Sequence, residues 1–129
     1  MTILLDTQIL LWTSSVSDRL PAEAKAMISN PANDLVFSAA SLWEVTIKNG
    51  LKREDFSVDP HLLRRSLLDH GYSELSITGA HALCVDLLPM IHRDPFDRIL
   101  VAQAQIERMT LLTTDATLGK YPGPIQVLG

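Results

Sequence analysis

Four acidic residues of this 129-residue chain stand where one fold could bring their side chains together. Each either follows a predicted strand or lies near the start of a predicted helix: Asp6, Glu44, Asp97 and Asp115. Carboxylates that come close repel one another unless protons or a cation intervene. Mg²⁺ takes oxygen ligands, and a pair of such ions can generate hydroxide and stabilise both oxygens of an in-line phosphoryl displacement. The acids therefore indicate a metal site suited to phosphoryl chemistry.

The same acids also have structural interpretations. Glu44 lies three residues after Ser41, which is the spacing of a capping box, and four before Lys48, which is the spacing of a surface ion pair. Asp97 could simply interact with a helix dipole. Asp6 is the hardest to explain in this way, because an acid just after a buried strand is expected to have few structural uses. Convergence of all four in space is what would favour the metal site.

Neighbouring polar residues could support that site. The hydroxyls of Thr7 and Thr113 could orient the carboxylates or a water molecule. Asp94 precedes Pro95, a pair typical of a helix start, so Asp94 either reinforces the site or only caps the helix. Asp115 could likewise cap a short turn.

The elements that must position these residues alternate between short apolar runs and helical segments. Strands are predicted at 2–5, 35–37, 74–77, 111–113 and 125–127, and helices at 8–12, 21–29, 38–48, 59–69, 78–87 and 94–108. The helix over 38–48 places Ala40, Trp43 and Ile47 on one stripe. The alternation predicts an α/β fold with a mainly parallel sheet covered on both faces. Ligands of such sheets bind outside the carboxyl ends of the strands.

Composition narrows the class of protein further. The length predicts a single domain over 1–129, and no apolar run approaches the ~20 residues that span a bilayer. Asp6 interrupts the only N-terminal apolar stretch, which argues against a signal peptide, and the single Cys84 fits a reducing cytoplasm. A net charge of −4 excludes a strongly basic chain, although a local field can still attract nucleic acid.

Four segments, in order along nearly the whole chain, resemble a known family. They are ILLDT at 3–7, SLWEVTIK at 41–48, HRDPFDRIL at 92–100 and LTTD at 112–115. They look like the signature segments of PIN-domain ribonucleases, and most of all those of VapC-type toxins from bacterial toxin–antitoxin pairs. Residues 50–76 match no motif of that family.

The resemblance implies a three-layer α/β/α sandwich and Mg²⁺- or Mn²⁺-dependent hydrolysis of RNA phosphodiester bonds. It also implies a homodimer, silenced by a small antitoxin whose C-terminal segment occupies the groove near the acids. Thr113 corresponds to the hydroxyl near the acidic quartet. That quartet falls on Asp6, Glu44, Asp97 and Asp115.

Basic residues near the acids could contact a ligand. Arg93 and Arg98 could bind substrate phosphates or an antitoxin carboxylate by bidentate donation, or could only balance Asp94 and Asp97. We expect a mixed role for Arg93 and the neutralising role for Arg98.

Other cations and the histidines are assigned to the surface. Two basic pairs could follow an RNA backbone, although a solvated helix face is the favoured interpretation: Lys52–Arg53 and Arg64–Arg65. The four histidines show no metal-ligand spacing, so we expect surface or capping residues: His61, His70, His81 and His92.

Two other classes of function remain open from the residues alone. A phosphoacceptor signalling domain is also a small α/β fold with an acidic Mg²⁺ site, but it would carry paired acids after the first strand, where only Asp6 stands. A non-catalytic interaction module would use the same acids only as caps.

Overall fold

Five short strands form one sheet in the computed structural model, which describes residues 1–51 and 58–129. Within those residues the strands are β1 (Thr2–Leu5), β2 (Asp34–Ser38), β3 (Ser73–Leu75), β4 (Thr110–Thr113) and β5 (Ile125–Val127). The sheet order is β3-β2-β1-β4-β5, and all four pairings are parallel. The predicted mainly parallel sheet is therefore confirmed. Lys52 and Arg53, which we considered as RNA contacts, lie outside the described residues.

The central strand β1 is apolar on both faces because both faces are covered. Ile3 and Leu5 pack into one apolar cluster and Leu4 packs into the other, as expected from the alternation of side chains along a strand. All three side chains are fully buried.

Six helices connect the strands within the described residues. They are α1 (Thr7–Ser14), α2 (Ala22–Ser29), α3 (Ala39–Gly50), α4 (Pro60–Asp69), α5 (Gly79–Leu87) and α6 (Pro95–Glu107), and a 3₁₀ turn spans Leu118–Lys120. Side-chain caps begin most of these helices, and in α4 and α6 an aspartate cap precedes a proline at the first helical position. These local signals explain why the predicted and observed bounds nearly coincide.

The helices form a layer on each face of the sheet. Residues of α1, α2 and α4, together with Val45 of α3, share one buried cluster with Ile3 and Leu5. Residues of α5 and α6 share the other cluster with Leu4 and Val36. The predicted three-layer α/β/α sandwich is confirmed.

The buried face of α3 differs from the predicted stripe. The helix buries Ala40, Ser41, Glu44 and Val45, whereas Trp43 is 59% exposed. The helix is therefore rotated so that a carboxylate, and not a large apolar side chain, points inward. In the part of the chain that the structure describes, no helix has the length and apolar character to cross a membrane.

Candidate metal centre

All four predicted acids line one cleft of about 280 Å³ at the carboxyl edge of the sheet. Asp94 lines it as well. The other lining residues are Thr7, Gln8, Leu11, Lys48 and Thr114. Asp6, Glu44 and Asp115 converge because β1, β2 and β4 are adjacent and parallel, so the segments that follow these strands begin at one edge. Asp94 and Asp97 reach the same cleft from the first turn of α6.

Asp6 ends β1 and caps α1. Its Oδ1 accepts a hydrogen bond from the Ile9 amide at 2.9 Å, and its Oδ2 accepts one from the Thr113 hydroxyl at 2.5 Å. The expectation that this acid has few structural uses is therefore wrong, because it is the N-cap of the next helix. Burial raises the pKa of Asp6, the hydrogen bonds from Thr113 and Ile9 oppose that rise, and the charges of Glu44 and Asp115 add to it.

Glu44 is buried on the inner face of α3. The helix begins at Ala39 behind the Ser38 cap, so Ser41 and Glu44 lie inside it and do not form a capping box. Glu44 Oε2 pairs with Lys48 Nζ at 3.0 Å, as its spacing predicts. Glu44 Oε1 is buried with no hydrogen-bond partner, and such an atom loses its hydration without a replacement. This orphaned oxygen is a ready ligand for a cation.

Asp94 and Asp97 belong to the start of α6. Asp94 Oδ1 accepts from the Phe96 amide at 2.9 Å, so the predicted helix cap is present. Burial and the charge of Asp94 raise the pKa of Asp97 to about 7, and the neighbouring His92 opposes that rise. Glu44 and Asp6 raise it further. A carboxyl in this state gains much from a nearby cation.

An aromatic contact connects the two helices that carry Glu44 and Asp97. The rings of Trp43 and Phe96 meet edge to face, with centroids 5.2 Å apart. Each ring belongs to the residue just before one of the acids, so the contact joins α3 and α6 beside Glu44 and Asp97. Trp43 therefore acts here as a packing residue between α3 and α6.

Asp115 follows β4 and is held by its own turn. Its amide donates to Thr113 Oγ1 at 3.0 Å, and its Oδ1 accepts from the Thr117 amide at 2.9 Å. Desolvation pushes the pKa of Asp115 up, but the hydrogen bonds from Thr117 and His92 outweigh it and the pKa is lowered. Asp115 is therefore a carboxylate that stays ionised beside the more deeply buried acids.

His92 is the site residue that the sequence analysis missed. Its Nδ1 accepts from the Asp94 amide at 3.1 Å, which is a local bond to the main chain and not a helix cap, because Asp94 itself caps α6. Its Nε2 lies 2.9 Å from Asp115 Oδ2 and 3.3 Å from Asp97 Oδ2, which the expectation of a surface or capping residue did not foresee. Its place two residues before Asp94 in the HRDPFDRIL segment was the available signal, but metal-ligand spacing was the wrong test for it.

The two threonines predicted to support the site have different roles. The Thr113 hydroxyl donates to Asp6 and orients its carboxylate, whereas the Thr7 hydroxyl donates to Ser41 Oγ at 2.9 Å.

The two arginines near the acids also differ from each other. Arg93 is exposed, whereas Arg98 is 7% exposed. The Arg98 guanidinium donates to the main-chain oxygens of residues 85 and 89 and to Tyr121 Oη, at 3.0 to 3.2 Å. The expected neutralisation of Asp94 and Asp97 by Arg98 is thus replaced by a structural role that ties α6 to the segment before it.

A larger cleft of about 770 Å³ lies along the end of α1, the loop that follows it and α2, and it shares Thr114 with the acidic cleft. Asp18 is the one acid among its lining residues, which also include Arg19 and Lys25. Its volume exceeds that of the acidic cleft, but it lacks the convergent carboxylates that would do metal chemistry.

The donor set of the acidic cleft fits a hard divalent cation. The carboxylates of Asp6, Glu44, Asp97 and Asp115 offer only oxygen ligands, which Mg²⁺ and Mn²⁺ prefer to nitrogen or sulfur. The orphaned Glu44 oxygen and the raised pKa of Asp97 are both features that a bound cation would relieve.

Comparison with known proteins agrees with this fold. Crystallised VapBC2 from Rickettsia felis, bound to a DNA fragment from its promoter, matches 98% of this chain and 98% of its own, with a TM-score of 0.70 and 14% identity. DNA-bound VapBC from Salmonella typhimurium matches 98% of both chains with a TM-score of 0.67 and 16% identity. A toxin–antitoxin complex from Klebsiella pneumoniae covers 97% of this chain and 96% of its own, with a TM-score of 0.64 and 20% identity.

At sequence identities of 14% to 20%, these structural matches show a shared fold and nothing further. The search of curated proteins finds no match. The family model of the PIN domain, however, matches residues 3–124, which is nearly the whole sequence. Together with the parallel sheet and its acidic edge, that match shows that this chain belongs to the PIN domain family.

Proposed function

We propose that this protein is a Mg²⁺- or Mn²⁺-dependent endoribonuclease that acts in the cytoplasm as the toxin of a toxin–antitoxin pair. The observation that carries the proposal is the convergence of the acids on one cleft with a buried, unpartnered Glu44 oxygen. The PIN family supports nuclease activity, and the similar structures, described as toxin–antitoxin complexes, support the pairing with an antitoxin.

The carboxylates of Asp6, Glu44, Asp97 and Asp115 would hold the cation. When bound, a divalent cation activates water and stabilises the oxygens of phosphoryl displacement. In the hydrolysis, a water oxygen forms a bond to phosphorus, the bond to one ester oxygen breaks, and that oxygen leaves with a proton.

The chain's own residues orient these groups. Thr113 and the Ile9 amide fix the Asp6 carboxylate from two sides, so little reorganisation is needed on binding. Lys48 lines the cleft and brings a positive charge to it, with its Nζ 3.0 Å from Glu44 Oε2. A cation at that position attracts the phosphate oxygens of RNA, as exposed Arg93 does beside the cleft.

The test is RNA cleavage in Mg²⁺ by the wild type and by Asp6→Asn. Asparagine caps helices as well as aspartate does, so this variant keeps the start of α1 while removing a charged ligand. Loss of even an outer partner of a metal site costs roughly 10- to 100-fold, so loss of this ligand is expected to lower cleavage by more than ~100-fold. Equal cleavage by the two proteins would refute the assignment.

Asp59→Asn is the matched control. Asp59 is the exposed cap of α4 and accepts from the His61 amide at 2.9 Å, outside the acidic cleft. The chemical change and its capping context are the same as at Asp6, so cleavage should stay at the wild-type rate.

Binding of an antitoxin and formation of a homodimer are tested by experiments other than the RNA cleavage assay. We expect a short gene immediately upstream to encode the antitoxin, and co-expression of its product should abolish cleavage by the wild type. Sedimentation of the isolated chain tests the predicted homodimer. Sequencing the ends of cellular RNA after induction would identify the RNA target.

A further inference from the structure

The ring of His92 is held by a hydrogen bond on each nitrogen. A main-chain N–H can only donate, so Nδ1, which receives the Asp94 amide at 3.1 Å, carries no hydrogen. The ring hydrogen must then lie on Nε2. Local backbone geometry thus selects one tautomer of His92.

That single N–H is aimed at two carboxylates from different elements. Nε2 lies 2.9 Å from Asp115 Oδ2, which follows β4, and 3.3 Å from Asp97 Oδ2, which lies on α6. The ligand atoms of Asp97 and Asp115 lie within 4.8 Å of each other, so their negative charges repel. The Nε2–H between them offsets part of that repulsion. The Nε2–H donor therefore stabilises the close approach of Asp97 and Asp115.

The main chain of His92 is anchored as firmly as its ring. Its amide donates to Tyr121 Oη at 2.8 Å, and the same phenol oxygen accepts from the buried Arg98 guanidinium at 3.2 Å. Tyr121 and Arg98 are 4% and 7% exposed. The imidazole consequently projects from a buried support.

We propose that His92 is a positioning residue of the cation site: its Nε2–H orients Asp97 and Asp115 and is retained when the cation binds. This inference rests on the proposed metal-dependent function. The alternative is a His92–Asp97–Asp115 ligand set, whose ligand atoms lie within 4.8 Å of one another. Ligation through Nε2 would need that nitrogen free of hydrogen, and the Asp94 amide disfavours the tautomer that would provide it. Outer partners of this kind commonly orient metal ligands.

The first test is the ¹⁵N spectrum of the histidine rings in the full chain, without metal and with saturating Mg²⁺. The His92 signals are assigned from their absence in His92→Phe. We expect Nε2 to bear the hydrogen and Nδ1 to lack it in both states. Loss of the Nε2 hydrogen on Mg²⁺ addition, or a mixture of tautomers without metal, would overturn the proposal.

The second test is Mg²⁺ calorimetry on His92→Phe and His92→Gln. Glutamine can present an N–H near the position of Nε2, so a positioning role predicts retention of most affinity. Because the glutamine carbonyl oxygen is itself a Mg²⁺ ligand, that retention supports the proposal only together with a wild-type ring that keeps its Nε2 hydrogen in the first test. Phenylalanine removes the donor and should weaken binding by about 10-fold or more. His61→Phe, on the exposed start of α4, is the matched control, and circular dichroism verifies that each variant folds.

These outcomes separate the two proposals. If the wild type and His92→Phe bind Mg²⁺ equally well, the positioning role fails while the nuclease proposal stands. The same holds if His92→Gln binds Mg²⁺ as weakly as His92→Phe does. If the wild type neither binds Mg²⁺ nor cleaves RNA, the nuclease proposal fails, and the role of His92 at a cation site fails with it.

Discussion

Replacing Asp97 by asparagine should stabilise the metal-free protein, and the gain should grow as pH rises from 5 to 8. Burial, followed by the charge of Asp94, raises the pKa of Asp97 from 3.8 to about 7. Between those values the folded chain holds a proton at this carboxyl that the unfolded chain has lost. The free energy of unfolding therefore falls as pH rises through that window. Asparagine carries no charge and removes this fall.

The size of the effect follows from the two pKa values. The interval from 3.8 to about 7 corresponds to about 4 kcal/mol at ~1.36 kcal/mol per pH unit. The Asp97 side chain is 21% exposed, and solvent screening lowers that figure. We expect a gain of about 2 kcal/mol for Asp97→Asn at pH 8 and less than ~1 kcal/mol at pH 5.

Urea unfolding at both pH values, with a chelator present, measures the gain. Asp115→Asn is the contrasting variant, because the pKa of Asp115 is lowered in the fold and its charge contributes stability at pH 8. That variant should lose stability at pH 8. An equal gain for Asp97→Asn at pH 5 and pH 8, or a loss at pH 8, would refute the reasoning.

Three further substitutions test the support of the cleft. Thr113→Val removes the buried donor to Asp6 and should lower the free energy of unfolding by ~1–3 kcal/mol and weaken Mg²⁺ binding, measured by urea unfolding and calorimetry; Thr113→Ser should retain both. Arg98→Lys loses the planar set of donors and should destabilise by about 2 kcal/mol, so an unchanged urea midpoint would contradict its structural role. Lys48→Met removes the charge that pairs with Glu44, so it should tighten Mg²⁺ binding, measured by calorimetry. In steady-state cleavage the variant should raise KM for RNA more than it lowers kcat, and an unchanged KM would count against a contact between Lys48 and a phosphate.

The local elements were readable from single segments of the chain. An apolar run ending at Asp6 predicts a buried strand and its carboxyl end, and Asp94-Pro95 predicts the first turn of α6. Such signals work because helical period, capping and proline geometry are properties of neighbouring residues. The candidate acids could be named for the same reason, since each stands at a recognisable end of an element.

The contacts among those acids depended on the tertiary structure. Thr113 bonds to Asp6 across 107 residues because β1 and β4 pair in parallel, and no local pattern encodes that register. The inward rotation of Glu44 and the place of His92 between Asp97 and Asp115 likewise result from packing of distant elements. The amino-acid sequence by itself determined where the strands and helices form and which acids end or begin them. Strand order and helix packing decided which of these side chains meet. Such contacts join residues that are far apart along the chain, and no periodic pattern in the sequence encodes them.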